Sequence, residues 1–231
     1  MLTSPAFDVI RLSKGKPREV GRWKSRVRGL PEFGGELPSV TLAEEILTEG
    51  EGQIKGMVTV AGNPVLSTPN GTQLEKAFEG LEFMVSVDIY INETTRHANI
   101  ILPPTTGLET NHYDIVFHNF GVRNTAKYSP ALFEGAEDSK HDWEILRELR
   151  FRLEAAKGDG GKSKRRAKQD FMGRLSPDKI VDLALRFGPY GAWGKDKDKN
   201  GVSEEGLKLS TLKKGVHGVD LGALQPCLPE R

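Results

Sequence analysis

Two segments hold residue types suited to ligand chemistry, and both lie where an apolar run stops. "VTVAGNPVLSTPNG", Val58 to Gly71, is a β-branched run that breaks on Gly62-Asn63-Pro64. Proline has no N–H to give to a strand ladder, so Pro64 fixes the exit of the chain. Gly62 permits a sharp turn and a close approach of ligand to backbone. Asn63 offers two donors and an acceptor at the same edge. "FMVSVDIYINETTRHANIILPP", Phe83 to Pro104, begins with a second apolar run, closed by Asp88. A carboxylate there accepts two adjacent N–H donors, the pair that guanine presents on one edge, and a ribose diol is a second partner for it. Asp88 can equally cap the turn that follows, and its spacing leaves the two roles open.

Other motifs carry less. "AKGDGGKS", Ala156 to Ser163, fits a relaxed phosphate-loop pattern, but that loop needs a strand before it and a helix after it. Here a helical run precedes it and a basic run follows. His97, His112, His118, His141 and His217 show no metal-ligand spacing. No serine sits in a nucleophile elbow, so no catalytic residue is assigned. One cysteine, Cys227, cannot by itself build a disulfide, a zinc-thiolate site or an iron–sulfur cluster within the chain. Asn70-Gly71-Thr72 and Asn92-Glu93-Thr94 match the glycosylation pattern, which needs a secretory route to matter.

The elements that must position the two strand ends are legible as periodicities. "SVTLAEEIL" has capping-box spacing from Thr41 to Glu44, with Leu42, Ala43, Ile46 and Leu47 on one face. "IKGMVTVAG" reads as a buried strand. "TQLEKAFEG" reads as a helix with Leu74, Ala77 and Phe78 inward and Gly80 as its stop. "EFMVSVDIY" is a second buried strand, "ETTRHA" a helical turn, and "NIILPP" a third strand. "HDWEILRELRFRLEAA" is a helix with Trp143, Leu146, Leu149 and Leu153 at helical spacing, and Trp143 is expected to bury against the sheet. This order implies an α/β fold with mainly parallel strands. Nearly unbroken apolar strands imply helices on both sheet faces, a three-layer unit. In such open sheets ligands sit beyond the carboxyl ends of the strands.

Around this block, residues 39–156, the sequence expects an irregular basic arm at 1–38 and a polar C-terminal extension at 157–231. The arm carries Arg22, Lys24, Arg26 and Arg28, suited to phosphate contact or to lying on another domain. The extension opens with a Gly-rich basic linker, 157–170, expected to be the first site of tryptic cutting. It then holds one clean helix, "SPDKIVDLALRFG", with Ser176 as N-cap and Ile180, Leu183, Ala184 and Phe187 inward, followed by an extended tail. The chain has 231 residues, 37% of them apolar, 28% charged, and a net charge of +1. That balance argues against nucleic-acid or membrane-surface partners. With no apolar run of membrane-spanning length and no leader pattern, a reducing cytoplasmic compartment is expected.

"VTVAGNPVLSTPNG", "FMVSVDIYINETTRHANIILPPTTGLE" and "HDWEIL", in that order, resemble the molybdopterin-dependent oxidoreductases of the dimethyl-sulfoxide-reductase superfamily, which includes formate dehydrogenases and nitrate reductases. The resemblance runs from about Val27 to Ala156, with a weaker likeness over the Ser176 helix and "GPYGAWG". It implies a Rossmann-like unit that holds the guanosine end of a molybdopterin guanine dinucleotide. Gly62, Asn63 and Pro64 would then line the nucleotide. Val87 and Asp88 match the strand-end pair, with the acid reading guanine, and Glu93 and Thr94 match the turn after it. Thr110, after Glu109, stands where the family often bears a lysine, and Asp142 matches the acid before the family's tryptophan helix.

The resemblance also implies two-electron redox chemistry at molybdenum or tungsten, carried by the cofactor. An iron–sulfur cluster, a metal ligand and the substrate pocket would belong to segments outside this sequence. The partners expected are therefore the remaining domains or a partner subunit of the oxidoreductase, and this chain alone is expected to be inactive. A nicotinamide-dinucleotide module competes, because Asp88 lies 26 positions after Gly62, but G-x-G-x-x-G is absent. A stand-alone, non-catalytic nucleotide-binding or scaffold module is the further alternative.

Overall fold

The computed structural model describes residues 20–115, 117–156, 175–194 and 205–223. The phosphate-loop-like stretch beyond Ala156, the basic linker and Cys227 lie outside these residues. The chain divides into two compact units. The first comprises Pro17–Thr106 and Gly135–Glu148. The second comprises Met1–Lys16, Gly107–Glu134 and Leu149–Arg231.

The first unit is built on helix α1 (Leu42–Leu47), strand β1 (Gly56–Val60), the single turn α2 (Pro64–Ser67), helix α3 (Gly71–Glu79), and strands β2 (Phe83–Val87) and β3 (Ile100–Leu102). The strands form a parallel sheet in the order β1-β2-β3. The chain is thus α/β with a parallel sheet, as the alternation of patterns implies. Side chains alternate across a strand, so Met57 and Met84, paired in register, point to one face. There they meet Ala43, Ile46, Val65, Leu74, Ala77 and Phe78 from the three helices. The expected inward face of α3 is borne out: Leu74, Ala77 and Phe78 are buried. Asn70, in the left-handed region at φ 59°, caps that helix by accepting from Gln73 N. Thr59 and Ser86 lie on the same sheet face, and their buried hydroxyls bond at 2.7 Å.

Two expectations need correction in this unit. The helices of the buried cluster pack on the Met57–Met84 face of the sheet; on the other face Val58, Val60, Phe83 and Ile100 are between 41% and 49% exposed and Val87 is fully buried. The capping box does not form, because the Thr41 hydroxyl donates to Pro38 O and Glu44 pairs with Arg28. Trp143 is only half-buried, and α4 (Asp142–Ala156) has no buried residue. The Trp143 ring stacks near His141 and carries the Arg147 guanidinium 4.9 Å from its centroid. A fully buried tryptophan would cost about 3–5 kcal/mol on truncation to alanine, and this ring does not meet that condition.

The basic residues of the described arm are spent on protein rather than phosphate. Arg26 donates to Thr48 O at 2.6 Å and Glu45 O at 3.3 Å, which satisfies carbonyls at the end of α1. Arg28 pairs with Glu44 at 2.8 Å. Arg22 donates to Glu32 at 2.6 Å, and Glu32 is 1% exposed and also accepts from the backbone of Arg22 and Gly35. The Arg22 side chain, with those backbone donors, holds the Glu32 carboxyl down to about 2, against an ordinary value of 4.5. A depressed carboxylate contributes stability in full above its unfolded value and loses it as pH falls through the folded one. Glu32→Gln should therefore lower the urea midpoint at neutral pH, and its difference from wild type should vanish by about pH 2. An equal difference at both pH values would assign Glu32 to packing alone.

The second unit pairs β4 (His112–Tyr113) with β6 (Tyr128–Ser129), and β5 (Arg123–Ala126) with β7 (Val219–Ala223), both antiparallel. Helices α5 (Pro177–Phe187) and α6 (Leu209–Lys214) also belong to it. Elements beyond the one helix expected there are thus present, with a core of Ala126, Tyr128, Leu185, Tyr190, Leu207, Leu209, Leu212 and Leu221. Pro177 opens α5 after Ser176, although the serine side chain makes no capping bond. The inward face of α5 differs from expectation. Leu185 is fully buried and Val181 packs on the core, while Ile180, Leu183 and Phe187 are exposed.

Candidate functional site

β1 and β2 are parallel neighbours, so their carboxyl ends fall side by side. Val60 lies opposite Val87, and Val87 O accepts from Ala61 N at 2.9 Å, which ties the two strand ends together. The turn out of β1 does not use Gly62 in the way its residue type suggests. The left-handed residue is Ala61, at φ 48°, while a Cβ on Gly62 would make only ordinary contact with Val60 O at 3.6 Å. A left-handed alanine costs on the order of 1–2 kcal/mol, and the Val87 bond helps to hold it there.

Asn63 stands at the N-cap of α2, with Pro64 at its first position, where a missing N–H costs nothing. Its carbonyl accepts from Leu66 N and Ser67 N. Its side chain turns away from the helix and joins the loop after β2: Asn63 Nδ2 donates to Glu93 Oε2 at 2.7 Å, and Thr94 Oγ1 donates to Asn63 Oδ1 at 2.7 Å. Thr94, fully buried, also accepts from Val65 N at 3.1 Å, so it caps α2 from the next strand's loop. Thr94→Val keeps the shape but leaves Val65 N–H and Asn63 Oδ1 without that partner. It should cost roughly 1–3 kcal/mol in urea unfolding, and an unchanged midpoint would mean that the network adds nothing to stability. The Asn63 amide and the backbone N–H of Glu93 hold the Glu93 carboxyl below the ordinary carboxylate range, so the site carries a negative charge at neutral pH.

Asp88, 9% exposed, sits directly beyond β2. Its Oδ1 accepts from Tyr90 N at 3.0 Å, the turn-capping role. Its Oδ2 has no hydrogen-bond partner among the described residues, so the cap leaves half of the carboxylate available. Tyr90 and Ile91 follow with exposed side chains, 69% and 81%.

The structure thus joins Asn63, Glu93 and Thr94 by side-chain bonds, with Gly62, Pro64, Val87 and Asp88 in the same two strand ends. Asp142 stands outside this network, exposed, with its carboxylate accepting from Trp143 N at the start of α4. Thr110 belongs to the second unit and is half-buried. Sequence reasoning missed Asn92 and Thr95. Asn92 Oδ1 accepts from Thr94 N and Thr95 N, while buried Thr95 accepts from Asn92 N and donates to Tyr90 O. The run Asn92-Glu93-Thr94-Thr95, five residues beyond the end of β2, is an Asx-turn signal that could have found them. The expected helical turn is present as a 3-10 turn, Thr95–His97.

Among the described residues no helix is long and apolar enough to cross a membrane, and no three His, Cys, Asp or Glu side chains are grouped to hold a metal ion.

The strand-end segments fall within a stretch shared with known proteins. The chain is 34% identical over 116 residues to the assimilatory nitrate reductase catalytic subunit of Bacillus subtilis, covering 49% of this chain and 16% of that protein. It is 27% identical over 131 residues to the F420-dependent formate dehydrogenase subunit alpha of Methanocaldococcus jannaschii, covering 57% and 18%. It is 32% identical over 87 residues to the dimethyl sulfoxide/trimethylamine N-oxide reductase of Rhodobacter capsulatus, covering 37% and 11%. The chain thus spans less than a fifth of the length of these relatives. The family described as molybdopterin oxidoreductase matches residues 24–151, which take in the whole parallel sheet and both strand ends, and the chain belongs to that family.

Proposed function

We propose that this chain supplies a Rossmann-like part of a molybdopterin-dependent oxidoreductase and holds the guanosine end of a molybdopterin guanine dinucleotide. The observation that carries the reading is the pair of joined strand ends, with Asp88 Oδ2 uncommitted beside a bonded Asn63–Glu93–Thr94 cluster. These residues fit a guanosine. The Asp88 carboxylate accepts guanine's two adjacent N–H donors in charge-assisted bonds. Gly62, Asn63 and Pro64 line the approach, and Glu93 and Thr94 fix the Asn63 amide in place. Thr110 and Asp142 are proposed as further contacts on their motif positions. When bound, the cofactor supplies two-electron chemistry at molybdenum or tungsten. This chain's part is to bind and orient. The metal ligand, any iron–sulfur cluster and the substrate pocket fall to the remaining domains or a partner subunit.

Guanosine diphosphate and adenosine diphosphate serve as probes. Titration of the chain, followed by amide chemical shifts of Asp88 to Glu93, should show saturable shifts with the guanine nucleotide at lower concentration than with the adenine nucleotide. Equal response to both, or none at these residues, would refute the guanosine assignment.

A further inference from the structure

The loop beyond β2 holds Ile89, Tyr90 and Ile91 out to solvent, one after another. Single exposed apolar residues are ordinary on a protein surface. A run of them on a loop fixed as firmly as this one is not. Tyr90 N donates to Asp88 Oδ1 at 3.0 Å, and Tyr90 O accepts from Thr95 Oγ1 at 2.9 Å. Asn92 N donates to the same Thr95 hydroxyl at 2.8 Å, and Asn92 Oδ1 accepts from Thr94 N and Thr95 N. Thr94 and Thr95 are fully buried, so these bonds anchor the loop to the body of the first unit. Both backbone polar groups of Tyr90 are thus used to fix its position, one of them on the carboxylate at the strand end. Its side chain takes no part in the buried cluster of this unit.

We infer that the Tyr90 ring, flanked by Ile89 and Ile91, is the platform on which the base of the bound nucleotide stacks. The inference rests on the guanosine reading of this site. A pair of hydrogen bonds from one base edge to the Asp88 carboxylate holds the base close to the plane of that carboxylate. The two faces of the base are then left to whatever surface stands beside the acid. A purine face is largely apolar, and removing it from water is favourable. Ile89 to Ile91 is the apolar surface next to Asp88 in the chain that the core does not use. Within it the tyrosine ring matches a flat heterocycle, and its phenol can stay in water. The Asp88–Tyr90 bond couples the two side chains, so one turn both reads the edge of the base and covers a face. Stacking on an aromatic ring tolerates any base, because every base has a π face. Tyr90 therefore supplies affinity, and Asp88 supplies the choice of guanine.

Tyr90→Ala and Tyr90→Phe test the platform, with guanosine diphosphate and adenosine diphosphate as probes. The side chain is exposed, so both variants should keep the urea midpoint of the wild type. Tyr90→Ala should weaken both nucleotides by the same factor, about tenfold or more, and leave the guanine-to-adenine ratio unchanged. Tyr90→Phe should keep both affinities. In the wild type the Tyr90 ring protons should move upfield on titration with either nucleotide, the mark of a stacked base. Undiminished affinity in Tyr90→Ala, or ring protons that ignore both nucleotides, would overturn the inference. A loss confined to the guanine nucleotide would trace to a disturbed Asp88, and a loss of equal size in Tyr90→Phe would trace to the hydroxyl; either overturns it. The two claims fail separately. Equal wild-type affinity for both nucleotides, with both weakened in Tyr90→Ala, leaves the platform standing and removes the guanosine assignment. A guanine preference with affinity undiminished in Tyr90→Ala does the reverse.

Discussion

Exchange of Asp88 for asparagine should erase the guanine preference of the strand-end site and lower guanine-nucleotide affinity by about one to two decades. The substitution separates the two roles of this side chain. An asparagine Oδ1 can still accept from Tyr90 N, the bond that caps the turn after β2. Its amide nitrogen then replaces Oδ2 and sets an N–H against a guanine donor. The fold should survive and recognition should fail. Adenine lacks the adjacent donor pair, so adenine-nucleotide affinity should hardly change. The measurement is nucleotide titration of both forms, together with retained cofactor in a full-length enzyme that carries the exchange. Undiminished cofactor and an unchanged base preference would reduce Asp88 to its turn cap.

Truncation of Phe78 to alanine should cost about 3–5 kcal/mol, the range for emptying a well-packed aromatic site. Phe78 is 2% exposed, on the face of α3 that also carries Leu74 and Ala77 and clusters with Met84 and Ile46, and its ring lies 6.1 Å from that of His97. Because α3 belongs to the crossover between β1 and β2, loosening it also loosens the two strand ends that carry Asn63 and Asp88. Urea unfolding gives the magnitude, and a loss below about 1 kcal/mol would show that the site collapses around the gap. Phe187→Ala is the contrasting case. Phe187 is 68% exposed on α5 and touches Trp193 at 4.7 Å between centroids, so its loss should move the midpoint little.

Those two phenylalanines mark where periodicity suffices and where it does not. On α3, Leu74, Ala77 and Phe78 are the only apolar stripe, so spacing selects the buried face without ambiguity. On α5, apolar residues occupy 180, 181, 183, 184, 185 and 187, which makes two overlapping stripes. The face that wins is the one carrying Val181 and Leu185, because Leu207, Leu209, Leu212 and Leu221 arrive against it from twenty or more residues downstream. No window over the helix contains that information.

What the sequence by itself determined is local: the strand runs, their stops at Pro64 and Asp88, the α3 face, and three ordered motifs that identify the family. These follow from backbone chemistry and side-chain period, which act within a few residues. What only the tertiary structure decided is the company each residue keeps. The left-handed position fell to Ala61 rather than Gly62, because Val87 O takes its N–H from the neighbouring strand. Arg22, Arg26 and Arg28 went to carboxylates and helix-end carbonyls, since Glu32, Glu44 and Glu45 were within reach. Thr94, about thirty residues along the chain, became the cap of α2 and the anchor of Asn63. Hydrogen bonds and burial depend on distance in space, and a parallel crossover makes neighbours of segments that the sequence holds far apart.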